Sequence, residues 1–300
     1  MGTPQITGPG LPLTKWRELV AEQCPTKLGL EETLLGGQSF SWTVSGSASW
    51  RGVIGNSLVE LRFRKEKIEW RTSDENPISE KDLRHYLWLE PSYDHAVDSL
   101  PWRSDPVLNR CRVALPGLRI LRQPMNEVLF TFLLSSVKSI PQIKEMRNLV
   151  AERYGRALGS NLWSFPGWER LARVPEAELR QLKMGYRAKY VAGVARTLSA
   201  NPSLLNEIVE LPYVEARGKL LELPGVGPKV ADCSLLFGAF KVEAFPVDTW
   251  ISKTLGVRYG LKGWSDGRKE SFARIHFGPH AGLAQQFLFS GERLGLHDRG

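Results

Sequence analysis

The chain has 300 residues, 42% of them apolar and 24% charged, which suits a folded protein of two domains and leaves no apolar run long enough to span a bilayer. Its three cysteines, Cys24, Cys111 and Cys233, lie far apart, and its five histidines form no HExxH or HxE-with-CxxC pattern. A disulfide framework, a four-cysteine cluster and metal-activated water chemistry are thereby disfavoured, while the net charge of +8 points to a polyanionic partner.

Residues 1–13 are polar and rich in Gly and Pro, with no basic-then-apolar secretory pattern, and the sequence alone does not say whether they are ordered. An intracellular protein is expected: cytoplasm or nucleoid if bacterial, nucleus if eukaryotic. The first third reads as β-rich, with strands over 34–42, 49–54, 57–64 and 67–71 punctuated by Gly36-Gly37 and Gly55-Asn56. A helix is expected over 80–89. Leu115-Pro116-Gly117 reads as a domain boundary, giving an N-terminal domain over 1–116 and an all-α domain over 117–300.

From Asn126 the pattern turns helical. Val128, Phe132 and Ser135-Ser136 fall on one predicted helix, followed by helices over 141–155, 168–173, 176–184, 187–199, 203–210, 212–221, 228–239, 248–255, 267–275 and 281–292. Residues 181–200 carry Lys183, Arg187, Lys189 and Arg196 with no acid, and residues 251–275 carry six basic residues against Asp266 and Glu270. Either stretch could meet phosphate or be a solvated helix face.

The most informative segment is Leu220-Leu221-Glu222-Leu223-Pro224-Gly225-Val226-Gly227-Pro228-Lys229. One helix ends, two glycines allow a tight turn and close approach of a backbone, and Pro228 suits the first turn of the next helix. Free amides at that helix start can hold a phosphate. A buried Gly-rich hairpin reads the same way. The first turn is a poor place for a cation, and a neutral amine is the form of lysine that attacks carbon. Nineteen residues after Lys229, Asp248 is expected to cap the following helix. Alone, each residue has an ordinary explanation; the pair is more telling.

LPGVGxK, an intervening helix and Pro246-Val247-Asp248 resemble the helix-hairpin-helix glycosylase superfamily, with the hairpin near 212–239. Gly37-Gln38-Ser39-Phe40-Ser41-Trp42, residues 118–123, Met184-Gly185-Tyr186-Arg187-Ala188-Lys189-Tyr190 and residues 278–285 resemble, in order, segments of the 8-oxoguanine DNA glycosylases. The resemblance implies a TBP-like antiparallel β domain followed by the helical glycosylase domain, an α+β fold. It implies a bifunctional glycosylase and abasic-site lyase acting on duplex DNA that contains oxidised guanine, as a monomer, without a membrane and with no cofactor for catalysis. Lys229 becomes the nucleophile and Asp248 its carboxylate. The Gly37 carbonyl accepts from the lesion's N7–H, Gln285 reads the base edge, and Phe289 and Cys233 flank the base. Tyr186 is the wedge, Arg187 reads the opposite cytosine, and Gly225, Gly227, Lys138 and Trp250 face DNA. The backbone carbonyls of Leu221, Leu223 and Val226 hold a structural monovalent or divalent cation.

The chain departs from the family pattern at Val137 and Lys138, where an Asn-rich stretch is usual, so weaker discrimination of the opposite base is expected. Trp250 stands in place of a phosphate-contacting histidine, His280 in place of a tyrosine, and Leu283 in place of a tryptophan. Two rival readings are less well supported: an alkylated-base glycosylase, which usually lacks the hairpin lysine, and a DNA-binding protein without chemistry, which needs neither Lys229 nor Asp248.

Overall fold

A computed structural model describes residues 12–20 and 24–296. Residues 1–11, and with them most of the N-terminal stretch whose order the sequence leaves open, lie outside the described residues, as does His297. The described start is paired: the Thr14 amide donates to the Thr72 carbonyl at 2.9 Å. Among the described residues no helix is long and apolar enough to cross a membrane.

The N-terminal part is a five-stranded antiparallel sheet. Its strands are β1 (Arg17–Leu19), β2 (Thr43–Gly46), β3 (Ser49–Ile54), β4 (Ser57–Arg64) and β5 (Lys67–Thr72), in the order β1-β5-β4-β3-β2. One helix, α1 (Lys27–Leu35), falls between β1 and β2, and another, α2 (Glu80–Tyr86), follows β5. Strand alternation sends Ile68 and Trp70 inward to join Trp42, Trp50 and Leu61 with Leu30, Leu34 and Leu83 from the helices. Polar partners elsewhere on the strands pair across them: Glu60 accepts from Arg51 and Arg71 at 2.5 Å each.

The expected strand over 34–42 is not formed. The Thr26 hydroxyl caps the Gly29 amide at 3.1 Å, and Leu30 and Leu34, four apart, turn the same helical face into the core, so the chain stays helical to Leu35. Residues 36–42 then run as a loop. Two helices go beyond the sequence expectation, α3 (Ser92–Ser99) and α4 (Pro106–Ala114). The second carries a readable start signal, Asp105 accepting from the Leu108 amide at 2.9 Å with Pro106 in the first turn.

The helical part continues with α5 (Met125–Leu133), α6 (Ile140–Tyr154), α7 (Trp168–Ala172), α8 (Glu176–Leu179), α9 (Ala188–Ala200), α10 (Leu204–Glu210), α11 (Tyr213–Leu221), α12 (Pro228–Gly238), α13 (Thr249–Arg258), α14 (Asp266–Phe277) and α15 (Ala281–Arg293). Two expectations are corrected here. Ser135 and Ser136 lie beyond α5, in the turn that leads to α6. The helix expected over 176–184 is only one turn of α8, followed by a kinked turn in which Lys183 and Gly185 adopt φ of +64° and +58°. A single apolar stripe along α12 would suffice for an amphipathic helix, yet Ala231 through Phe237 are all buried, because α5 and α11 pack against it.

The sheet and helical parts are joined by polar contacts in a buried setting. The Gln38 amide spans the linker, accepting from the Leu121 amide at 2.8 Å and donating to the Arg119 carbonyl at 2.7 Å. Gln123 donates to the Gln38 carbonyl at 2.7 Å, and Arg293 of α15 meets Glu32 of α1 at 2.5 Å. At the start of α15, a Cβ on Gly282 would lie 2.3 Å from a Leu236 methyl of α12 and 2.8 Å from the Ala244 carbonyl. Gly282→Ala should therefore destabilise the fold by about 1–3 kcal/mol through overpacking, read as a lower denaturant midpoint with an unchanged m-value.

Candidate active site

The hairpin between α11 and α12 closes with the Val226 amide on the Leu223 carbonyl at 3.1 Å and Gly225 at φ +77°. Its two glycines differ in role. A Cβ on Gly225 would strike the Tyr190 ring at 2.3 Å, so on that side glycine serves the turn and the packing of α9, while the residue itself is exposed. At Gly227 nothing lies within 4 Å of a Cβ, and that position is open. Gly227 also offers no capping side chain to the first turn of α12.

Lys229 is the second residue of α12 and half-buried. Its Nζ donates to the Ser135 hydroxyl at 2.6 Å and stands 5.2 Å from the centre of the Phe132 ring. Asp248 caps α13, its Oδ1 accepting from the Ile251 amide at 2.8 Å. Burial raises its pKa, with the Ile251 bond and the charge of Lys229 pulling the other way. Cys233, one turn along α12 from Lys229, feels both of these charges; burial dominates and pushes its thiol up to about 12, so it is a neutral, apolar-like wall. Lys229, Asp248 and Cys233 thus share one electrostatic neighbourhood.

Gly37 and Phe289 meet on another wall. Gly37 has φ +103°, and a Cβ there would lie 2.8 Å from Ile140 and 3.6 Å from the Phe289 ring. Gln285, one turn before Phe289 on α15, is only 5% exposed. Its Nε2 donates to the Pro246 carbonyl at 3.3 Å, which fixes the amide orientation, while its Oε1 is buried without a protein partner. Pro246 belongs to the segment that carries Asp248, so α15 and the Asp248 loop are tied together.

Tyr186 and Arg187 occupy a neighbouring surface. Tyr186 is 49% exposed, with the Arg187 guanidinium 4.4 Å from its ring centre. Arg187 itself is 5% exposed; Nη2 donates to the Ser136 carbonyl, and Nε is buried without a partner. The turn between them and Lys229 runs through Val137, which is 93% exposed at φ +52°, and Lys138, whose amide returns to the Ser135 carbonyl at 3.3 Å. Trp250 is exposed on the first turn of α13. Of the six basic residues between 251 and 275, Lys269 is buried on Ser252 and Lys253 pairs with Glu292 at 2.6 Å, which weakens that stretch as a phosphate surface.

Leu221, Leu223 and Val226 lie together on the hairpin, and the Leu223 carbonyl keeps one lone pair beyond its bond to Val226. Among the described residues no group of three or more His, Cys, Asp and Glu side chains could hold a metal ion. Three contributors escape a reading of the sequence: Ser135, Gln38 and Gln123. The glutamines flank or lie within segments singled out for other residues, but their amide contacts to a linker distant in sequence leave no local signal.

Residues 132–276 match the model of the HhH-GPD superfamily base excision DNA repair protein, and residues 23–129 match that of the 8-oxoguanine DNA glycosylase N-terminal domain. The N-glycosylase/DNA lyase OGG1 of Arabidopsis thaliana is 34% identical over 89% of this chain and 78% of its own length. The N-glycosylase/DNA lyase of Saccharomyces cerevisiae is 28% identical over 89% and 84%. A crystal structure of Clostridium acetobutylicum 8-oxoguanine glycosylase/lyase, in complex with dsDNA containing cytosine opposite to 8-oxoG, superposes with a TM-score of 0.83 at 28% identity, covering 94% of this chain and 99% of that one. The fold is thus that of a helix-hairpin-helix DNA glycosylase. The chain belongs to the 8-oxoguanine DNA glycosylase family, base-excision repair enzymes with both DNA glycosylase and abasic-site lyase activity.

A β-branched residue in the left-handed region is strained by about 1–3 kcal/mol, and Asn tolerates that region far better. Val137→Asn should raise the stability of the free protein by about 1 kcal/mol, measured by denaturant melting. It should also widen the preference for 8-oxoguanine opposite C over A, since an amide can hydrogen-bond a base edge and an isopropyl group cannot.

Proposed function

We propose that this chain excises 8-oxoguanine from duplex DNA and nicks the strand through a Schiff base on Lys229. The observation that carries the reading is the Lys229 amine in the first turn of the hairpin helix, fixed by Ser135 at 2.6 Å and sharing its surroundings with the half-buried Asp248 carboxyl. A lesion inside a duplex is out of reach, so the base is extruded into the space between the Gly37–Phe289 wall and Cys233. The Gly37 carbonyl accepts from N7–H, which guanine lacks, and the free Gln285 Oε1 accepts from the Watson–Crick edge while Phe289 stacks on the ring.

Neutral Lys229 attacks C1′; the glycosidic bond breaks and its electron pair leaves with the base. Asp248 stabilises the positive charge that develops on the sugar. The amine adduct opens the sugar ring to an imine, and loss of the C2′ proton expels the 3′ phosphate by β-elimination. Tyr186 wedges into the gap and Arg187 meets the opposite base. Gly227 gives the backbone an open approach to the hairpin, with Lys138 and Trp250 as further DNA contacts. A cation on the carbonyls of Leu221, Leu223 and Val226 would supply positive charge beside a phosphate, with no part in bond cleavage.

Borohydride should trap a covalent complex of the native protein with 8-oxoguanine duplex, and Lys229→Gln should abolish it; an undiminished adduct in that variant would assign the nucleophile elsewhere. Asp248→Asn separates the two roles of that residue. Asn caps a helix about as well as Asp, so stability should change by only a few tenths of a kcal/mol. Excision should fall by about 10²–10³-fold with the loss of the charge. Because burial raises the Asp248 pKa, the native enzyme should lose rate on acidification above the usual aspartate range, and the Asn variant should lack that limb of the pH profile.

A further inference from the structure

We infer that Ser135 and Ser136 act as one positioning element that links the reading of the opposite base to the placement of the nucleophile. This rests on the roles just given to Lys229 and Arg187. Ser135 is buried in the turn after α5, and its hydroxyl donates to the Phe132 carbonyl at 2.7 Å. Its one proton is committed there, so towards Lys229 it can only accept. A neutral amine held in this way turns an N–H to Ser135 and leaves its lone pair free for C1′.

The next residue holds the other reader. The Ser136 carbonyl accepts from Arg187 Nη2, and the Arg187 Nε–H has no partner in the protein. The two serines sit in a closed turn. Lys138 returns its amide to the Ser135 carbonyl at 3.3 Å, Val137 is locked in the left-handed region, and Ser139 with Gln142 box the start of α6. Ser136 therefore cannot move without carrying Ser135. A cytosine offers acceptors to the free Nε–H while Nη2 keeps its bond to Ser136. An adenine, a larger purine with one ring acceptor on that edge where cytosine has two acceptors side by side, crowds and displaces the guanidinium, and through the turn shifts the anchor of Lys229. Misplacing a reacting group by about 1 Å can cost about 10²-fold in rate, so a small shift is enough.

Single-turnover excision on duplexes with 8-oxoguanine opposite C and opposite A tests this with Ser135→Ala, Ser135→Thr, Arg187→Ala and the Ser135→Ala/Arg187→Ala double variant. Ser135→Ala should slow excision opposite C by about tenfold or more and opposite A by less, so the C-to-A ratio falls. Thr, which keeps the hydroxyl, should restore the ratio. The double variant should have the ratio of Arg187→Ala alone, the signature of one coupled element. Equal losses opposite both bases, no rescue by Thr, or multiplying ratio losses in the double variant would overturn the proposal. The ratio is measured within each preparation, so it remains decisive for a partly folded variant. Borohydride trapping of Lys229→Gln is run alongside: a retained adduct there overturns the lysine assignment itself, whereas an unchanged ratio in Ser135→Ala overturns only the coupling.

Discussion

The burial of α12 orders the rest of the molecule. A helix enclosed from Ala231 to Phe237 brings its amine to a cleft only through its first turn, where Lys229 lies, with Cys233 behind it as an apolar-like wall. Placing an amine there requires a tight hairpin before it, hence Gly225 against Tyr190, and a partner close by, hence Ser135. Asp232, on the same helix, is buried too, and it is held by Arg217 and Tyr213 of α11 at 2.8 Å each. That pairing locks the two hairpin helices together, so the register of the first turn is set by a buried ion pair as well as by apolar packing.

The helical part is readable in the sequence because its signals are local. Pro228 at a helix start, Asp248 as a cap and the Gly-Pro breaks between helices each act within one turn of chain. The N-terminal strands over 49–72 are equally legible from their alternation. What stays hidden depends on distant contacts. The run 34–42 alternates like a strand, yet the packing of Leu30 and Leu34 keeps its start helical, and Gln38 ties its middle to a linker more than eighty residues away. From sequence, Ser135 falls on a helix; in the structure it lies past the break after Leu133, where its hydroxyl bonds back to Phe132 and also accepts from Lys229, a partner ninety-four residues away.

The candidate site also keeps polar atoms that the fold does not satisfy. Gln285 Oε1 and Arg187 Nε are both buried without protein partners. A buried unpaired group of this kind costs about 1–3 kcal/mol, and others lie away from the site, Trp70 Nε1 in the sheet core and Ser234 Oγ on α12 among them. Both atoms fall on residues proposed to face a nucleobase, and one is an acceptor while the other is a donor. Gly225 and Gly227 differ only in the direction a side chain would take, towards Tyr190 at the first and into open space at the second.

The join between the sheet and the helices carries a mechanical consequence. Gln38 is almost fully buried and bonded at both ends of its amide, Gln123 holds its carbonyl, and Arg293 clasps Glu32. A hinge through this seam would break several polar bonds at once, those of the Gln38 amide in a buried setting. The seam therefore resists a hinge between the sheet and the helices. Against a seam that resists hinging, the deformability of a duplex weighs more in whether the two surfaces can fit, because the bending of DNA costs energy according to its sequence and local softness.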